Sequence, residues 1–256
     1  MPTIQSHQSG MPNWVDVMVE TTEQREALMA FYNALYGWTF DVGAEEMGYY
    51  TIASHDGRAV MGLGQGPGGE GKFIVYFATD DIEKSAAKAT ELGANIFMGP
   101  MDVMDVGKMA LVLDPVGAVH GLWQAGTFPG FGVVYEPGTA GWFDHASNDP
   151  ATAAAYYTAL TGMTLNESGP DMRVLQNGEQ WFASISQDQM PDRPAQWNPI
   201  YIGDSLQRVR DTVRAQGGSV VVEEMPVPGS AITVFAEPVM NTLVTVMQAG
   251  DHADEE

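Results

Sequence analysis

Apolar positions along the chain switch between two rhythms. Val15, Val17 and Val19 alternate with other residues, the period of a half-buried strand. Ala27, Leu28, Phe31 and Leu35 then recur at helical spacing. Tyr49–Ser54 and Arg58–Leu63 return to the strand rhythm, joined by His55-Asp56-Gly57, an Asp-Gly hairpin signal. A second strand, Phe73–Ala78, leads into a helix from about Asp81 to Leu92. Asp80 or Asp81 is its N-cap and Gly93 its left-handed terminator. Ala94–Phe97, Lys108–Leu113 and Ala118–Trp123 read as the strands that follow. The order is strand, helix, further strands, and it occurs twice within this stretch.

The whole stretch then recurs. Trp14-Val15-Asp16 opens the first half and Trp142-Phe143-Asp144 the second, each followed by a helix with an aromatic pair, Phe31-Tyr32 and Tyr156-Tyr157. Asp80 to Asp204 and Gly93 to Gly217 are both intervals of 124 residues, and Gln124-Ala125-Gly126 recurs as Gln248-Ala249-Gly250 at the same interval. An offset this steady marks a duplicated domain. The division expected is a first domain over 11–125, a linker over 126–138 and a second domain over 139–249. Residues 1–10 and 250–256 are expected to be flexible tails. A fragment ending near Gly130 is expected to fold alone.

Composition narrows the function. The 256 residues are 45% hydrophobic, ample for real cores, and carry a formal charge of −22. That field repels phosphate backbones and anionic lipid, so no nucleic-acid or membrane partner is expected. A neutral or cationic small molecule is tolerated better. Cysteine is absent from the sequence, which removes disulfides, thiolate nucleophiles and cysteine-held metals. No apolar run approaches a bilayer span, and the first residues lack a secretory signal's basic and apolar regions, so a soluble, cytoplasmic protein is the expectation.

Four βαβββ modules, with Asp114-Pro115-Val116-Gly117 before a closing strand, resemble the vicinal oxygen chelate superfamily, which includes glyoxalase I, bleomycin-resistance proteins and extradiol dioxygenases. The likeness is to its two-domain glyoxalase-like members, carried by Pro12-Asn13-Trp14-Val15-Asp16, Ala30-Phe31-Tyr32, Tyr36-Gly37-Trp38, Gly121-Leu122-Trp123-Gln124 and Glu136-Pro137-Gly138-Thr139. It implies an α+β fold of tandem modules, two per domain, whose curled mixed sheets form a cup. In metal-using members the cup's ligands are His, Gln or Glu on the first and last strands of each module, leaving positions open for a substrate's vicinal oxygens. Here those positions hold Trp14, Ile74 and Gly121 in the first half, and Trp142, Asn198 and Val244 in the second. Indole and aliphatic groups donate no lone pair to a divalent cation, so no metal cofactor is expected. A register error of one residue would turn His120 inward.

Asp16 and Asp144 lie two residues beyond Trp14 and Trp142, on the same strand face, and are the candidate general bases. The plainer reading is that each satisfies neighbouring donors. Trp14 and Trp142 are candidate platforms for a planar or cationic ligand, with Tyr49 or Tyr50 as a cap, and core packing is the alternative. The set expected to line the cups is therefore Trp14, Asp16, Ile74, Gly121, Trp142, Asp144 and Asn198. His145 and His120 read as hydrogen-bonded structural residues, and His55 as a solvent-facing turn residue. Met98, Met101, Met104 and Met109 read as gap fillers in the core. Gly64, Gly66 and Gly69 have a phosphate-loop spacing but no following helix, and read as a loop between modules.

The expected function is a cup-shaped small-molecule binder without the metal tetrad, serving resistance or detoxification. The alternative is a glyoxalase-like lyase or isomerase using an Asp base or a divalent metal (Zn, Ni, Mn or Fe). A third arrangement has one half binding and the other acting as a platform, with the second half as the platform because Glu237-Pro238-Val239-Met240 lacks the Gly. A monomer is expected, with a homodimer as the alternative.

Overall fold

A computed structural model describes residues 3–66, 71–167, 172–178, 180–188 and 193–249. Part of the glycine-rich segment, including Gly69, and the tail 250–256 lie outside them.

The first half runs β1 (Pro12–Val19), α1 (Thr22–Tyr36), β2 (Thr39–Val42), β3 (Thr51–His55), β4 (Arg58–Gln65), β5 (Phe73–Ala78), α2 (Ile82–Glu91), β6 (Asn95–Val103), β7 (Gly107–Leu113) and β8 (Val119–Ala125). The second half repeats it as β9 (Ala140–Ser147), α3 (Pro150–Thr161), β10 (Thr164–Glu167), β11 (Met172–Asn177), β12 (Gln180–Gln187), β13 (Gln196–Gly203), α4 (Leu206–Ala215), β14 (Ser219–Val227), β15 (Ser230–Ala236) and β16 (Leu243–Gln248). Each half makes one open, mixed eight-stranded sheet, ordered β2-β3-β4-β1-β5-β8-β7-β6 and β10-β11-β12-β9-β13-β16-β15-β14. This is the α+β arrangement of tandem βαβββ modules.

Local chemistry explains the elements. Thr21 caps α1 in a reciprocal capping box with Gln24, and Gly37 ends it with φ of 72°. Asp81, not Asp80, caps α2 by accepting from Lys84 N. Asp56 and Gly57 both have positive φ, as the tight hairpin turn demands. The buried stripe of α1 is Arg25, Leu28, Phe31 and Tyr32, whereas Ala27 is exposed. The stripe thus follows the aromatic pair, a step of three or four residues from Leu28.

The chain packs as two compact units. One comprises residues 1–16, 73–132 and 142–198, and the other 17–72, 133–141 and 199–256. In the first unit the core centres on Phe77, Tyr157 and Trp197, with ring centroids 4.9–5.6 Å apart. In the second it centres on Tyr32, Tyr36, Trp38 and Tyr201.

Several expectations change. The amino-terminal segment is tied down: Ile4 N donates to Gly132 O, His7 bonds Phe131 O, and Gly10 N donates to Ala78 O. The linker is equally ordered, with Phe131 buried and Glu136 holding Arg58 through two bonds of 3.1 and 2.7 Å. His55 is half-buried with its ring against Gly138. Met98 and Met101 are exposed because β6 is the edge strand of its sheet, and Met104 is exposed in the turn that follows β6.

Candidate functional site

In the first unit, β5, β8 and β9 each present two faces. Phe77, His120 and His145 point to the helical side and meet Tyr157 of α3. Tyr76, Gly121 and Asp144 take the other side by the period of two, the side on which the seven cup residues are expected.

The first-half set forms a sealed cluster. Trp14 Nε1 donates to Asp16 Oδ1 at 2.9 Å, and Tyr76 OH donates to Asp16 Oδ2 at 2.9 Å. All three side chains are buried, and burial together with Asp16 raises the Tyr76 phenol well above its usual range. Tyr76 lies opposite Gly121 in the parallel β5–β8 pairing. A Cβ on Gly121 would stand 2.0 Å from the Tyr76 ring, so the ring fills the space that a side chain at this position would need. Phe128 closes on Trp14 with centroids 4.9 Å apart. Ile74 is half-buried on the Tyr76 side of β5. Asp16 is thus engaged by two buried donors, the plainer of its two readings.

The second-half set is different. Trp142 Nε1 donates to Ser184 Oγ at 2.9 Å, Ser184 Oγ to Asp144 Oδ1 at 2.6 Å, and Ser186 Oγ to Asp144 Oδ2 at 2.9 Å. Gln196 Nε2 donates to Asn198 Oδ1 at 2.6 Å, and Asn198 Nδ2 lies 3.5 Å from the Asp144 carbonyl oxygen. Trp142, Asp144, Ser186, Gln196 and Asn198 are half-buried, whereas Ser184 is buried. Desolvation raises the Asp144 carboxyl above its ordinary value, against the two serine hydroxyls that lower it. The result is a polar, partly open cluster with a carboxylate that can accept a proton.

The structure therefore brings together Trp14, Asp16 and Gly121 around Tyr76, and separately Trp142, Asp144 and Asn198 around Ser184. Val244 belongs to neither: it is fully buried and faces the other way on β16, like Val246, which reaches Gly203 beside Val209 of α4. Thr245, paired with Ile200 as Gly121 is with Tyr76, holds that register position. The platform expectation also changes, since the second half carries the more open polar cluster.

Sequence reasoning missed Tyr76, Ser184, Ser186 and Gln196. Alternation alone would have found the serines, because Ser184 pairs with Asp144 across β12 and β9. It also missed a buried carboxylate on the helical side. Asp114 Oδ1 accepts from Val116 N and Ala118 N at 3.0 and 2.8 Å, while its Oδ2 accepts from Tyr157 OH at 2.9 Å and meets His145 Nε2 at 3.0 Å. Burial would raise this carboxyl, but His145 and the other donors outweigh it and hold it below the usual value. His120 meets Tyr156 OH at 2.9 Å. Both histidines are fully buried, and they lock α3 to the sheet.

The metal implied by the fold does not fit these residues. Indole, an aliphatic side chain and glycine occupy the first-half positions, and among the described residues no group of three His, Cys, Asp or Glu is arranged to hold an ion.

Comparison with known proteins agrees with the architecture. The chain is 32% identical over 250 residues to "Putative glyoxylase CFP32" of Mycobacterium tuberculosis, covering 93% of this chain and 95% of that protein. It is 31% identical over 177 residues to "Anthracycline biosynthesis protein DnrV" of Streptomyces peucetius, covering 62% and 63%. The Mn(II)-bound glyoxalase of Novosphingobium aromaticivorans superposes with a TM-score of 0.67 at 14% identity, covering 100% of this chain and 87% of that one. No family model matches the chain. Fold and relatives together define a glyoxalase-like protein. The chain belongs to the vicinal oxygen chelate superfamily, in its two-domain glyoxalase-like group. Among the described residues no helix is long and apolar enough to cross a membrane.

Proposed function

We propose that this protein binds a small organic molecule at the Trp142–Asp144–Ser184–Ser186–Asn198 cluster, without the metal tetrad, in a resistance or detoxification role. The carrying observation is the contrast between halves. Asp16 is buried and held by the large rings of Trp14 and Tyr76, whereas Asp144 is half-buried and bonded to two small hydroxyls. An indole beside a carboxylate suits a planar ligand bearing hydroxyl or amino donors. A relative named for anthracycline biosynthesis supports an aromatic ligand of that kind.

Calorimetric titration with a hydroxylated anthraquinone tests this reading. Trp142→Ala should weaken binding by about 1 kcal/mol, the worth of a stacked aromatic contact, and Asp144→Asn should weaken it for donor-bearing ligands. Added manganese should leave affinity unchanged. Equal affinity in both variants and the parent protein would remove the site.

The raised Asp144 carboxyl favours one second reading, a lyase or isomerase base that abstracts a proton beside a carbonyl. Solvent deuterium exchange into an α-hydroxyketone, lost in Asp144→Asn, is its signature.

A further inference from the structure

Arg25 sits in the second turn of α1 and is 6% exposed, the most buried cationic side chain of the described residues. Arg58 is matched by Glu136, Arg193 by Asp188, and Arg210 by Glu223 and Glu224. Among the described residues Arg25 has no such partner. Its Nη1 donates to Gln65 Oε1 at 2.9 Å, its guanidinium carbon lies 5.3 Å from the centre of the Tyr49 ring, and its Nε has no hydrogen-bond partner among the described residues. An amide oxygen and a ring face replace only part of the hydration that a buried guanidinium loses. In a chain with 33 acidic and 11 basic residues, lack of a carboxylate beside the best-buried arginine is not a shortage of acids.

The surroundings suit an incoming acceptor. Gln65, at the end of β4, lies 3.5 Å from the Thr22 hydroxyl, so an amide and a hydroxyl stand beside the guanidinium. Tyr49 covers the guanidinium from a left-handed backbone conformation, φ of 57°, that a tyrosine adopts at a cost. Its ring is partly exposed and can yield to a ligand.

We propose that Arg25 anchors a subsite for one small oxyanion, a carboxylate or phosphate group, with Gln65 and Thr22 as neutral partners. The oxyanion accepts from the guanidinium fork, supplying the charge that the protein withholds. The negative field of the rest of the chain keeps polyanions away, so the group accepted is single and small. This subsite is separate from the Asp144 cluster and does not depend on it.

Thermal unfolding of the full chain in sodium phosphate and in sodium acetate, each against sodium chloride at equal ionic strength, tests the proposal. Phosphate or acetate should raise the midpoint saturably above chloride. Arg25→Gln should abolish that rise, and Arg25→Lys, which keeps charge but loses the fork, should weaken the apparent affinity about tenfold. Should Arg25→Gln fail to fold, Tyr49→Leu serves instead: uncovering the guanidinium should strengthen the anion response. No rise in the parent protein, an equal rise in folded Arg25→Gln, or an unchanged response in Tyr49→Leu overturns the proposal.

Discussion

Replacing His120 with glutamine removes one buried proton-binding site and makes the pH dependence of stability a test of how α3 packs on β8. The His120 imidazole is fully buried, with Tyr156 OH on Nε2, the Gly121 carbonyl oxygen 3.3 Å from Nδ1, and Phe77 and Tyr157 against its faces and edges. Burial pushes its pKa down from 6.5 to about 4, against the opposing pull of the Gly121 carbonyl. The unfolded chain takes up this proton near 6.5 and the folded one only near 4, so the unfolded state binds more protons in between. Stability from this group is therefore complete above pH 6.5 and is lost as pH falls toward 4. At about 1.4 kcal/mol per unit, the interval amounts to about 3 kcal/mol, a large share of a typical total of about 5–15 kcal/mol. The depressed Asp114 carboxyl acts in a lower window, below its ordinary 3.8. His7 is also lowered by burial and steepens the profile in both proteins, so the difference between them isolates His120. Urea denaturation between about pH 4.5 and about pH 7.5 is the assay. The parent protein should lose stability more steeply on acidification by up to about 1.4 kcal/mol per pH unit. His120→Gln should be flatter and, near neutrality, about 1 kcal/mol less stable from the weakened Tyr156 contact. Parallel profiles would refute the burial argument.

Two further outcomes follow from the packing. Gly121→Ala drives a methyl group to 2.0 Å from the Tyr76 ring and should cost about 2–3 kcal/mol by breaking the Tyr76–Asp16 bond, with Tyr76→Ser in the same chain restoring part of it; a neutral Gly121→Ala in urea denaturation would show that the ring has room to move. The fragment Met1–Gly130 keeps Phe77, Asp114 and His120 but loses Tyr156, Tyr157, His145 and Trp197, so it should lack a cooperative thermal transition that the full chain retains, and a sharp transition in the fragment would instead support independent halves.

The duplication was legible because both copies keep the same strand and helix spacing. The interval of 124 residues that joins Asp80 to Asp204 also relates the Tyr76–Gly121 pair to the Ile200–Thr245 pair in register. Val244 was misplaced by one residue because counting ran from the acidic turn. Asp114 reaches its strand at Val119, whereas Glu237 collects the amides of Val239, Met240 and Thr242 in a turn one residue longer, with Asn241 at φ of 62°. β2 escaped notice because an edge strand with mostly exposed residues carries no apolar alternation. Arg25 escaped for the opposite reason: a charged residue inside an apolar stripe reads as the polar face of a helix until its burial is seen.

Duplication also explains why a chain can keep the fold and alter its chemistry. Tyr76 has Ile200 as its second-half counterpart, and Gly121 has Thr245. The phenol that donates to Asp16 thus has no equivalent for Asp144, whose partners are the shorter Ser184 and Ser186. In one half, ring and glycine are mutually required, since the Tyr76 ring occupies the space that a side chain at position 121 would need. Reopening that half takes at least two coordinated changes. In the other half a single substitution at Asp144, Ser184 or Ser186 alters the donors and acceptors offered. Under the proposed function, a change of ligand would therefore come through the second half, whereas Trp14, Asp16 and Tyr76 fill the interior of the first.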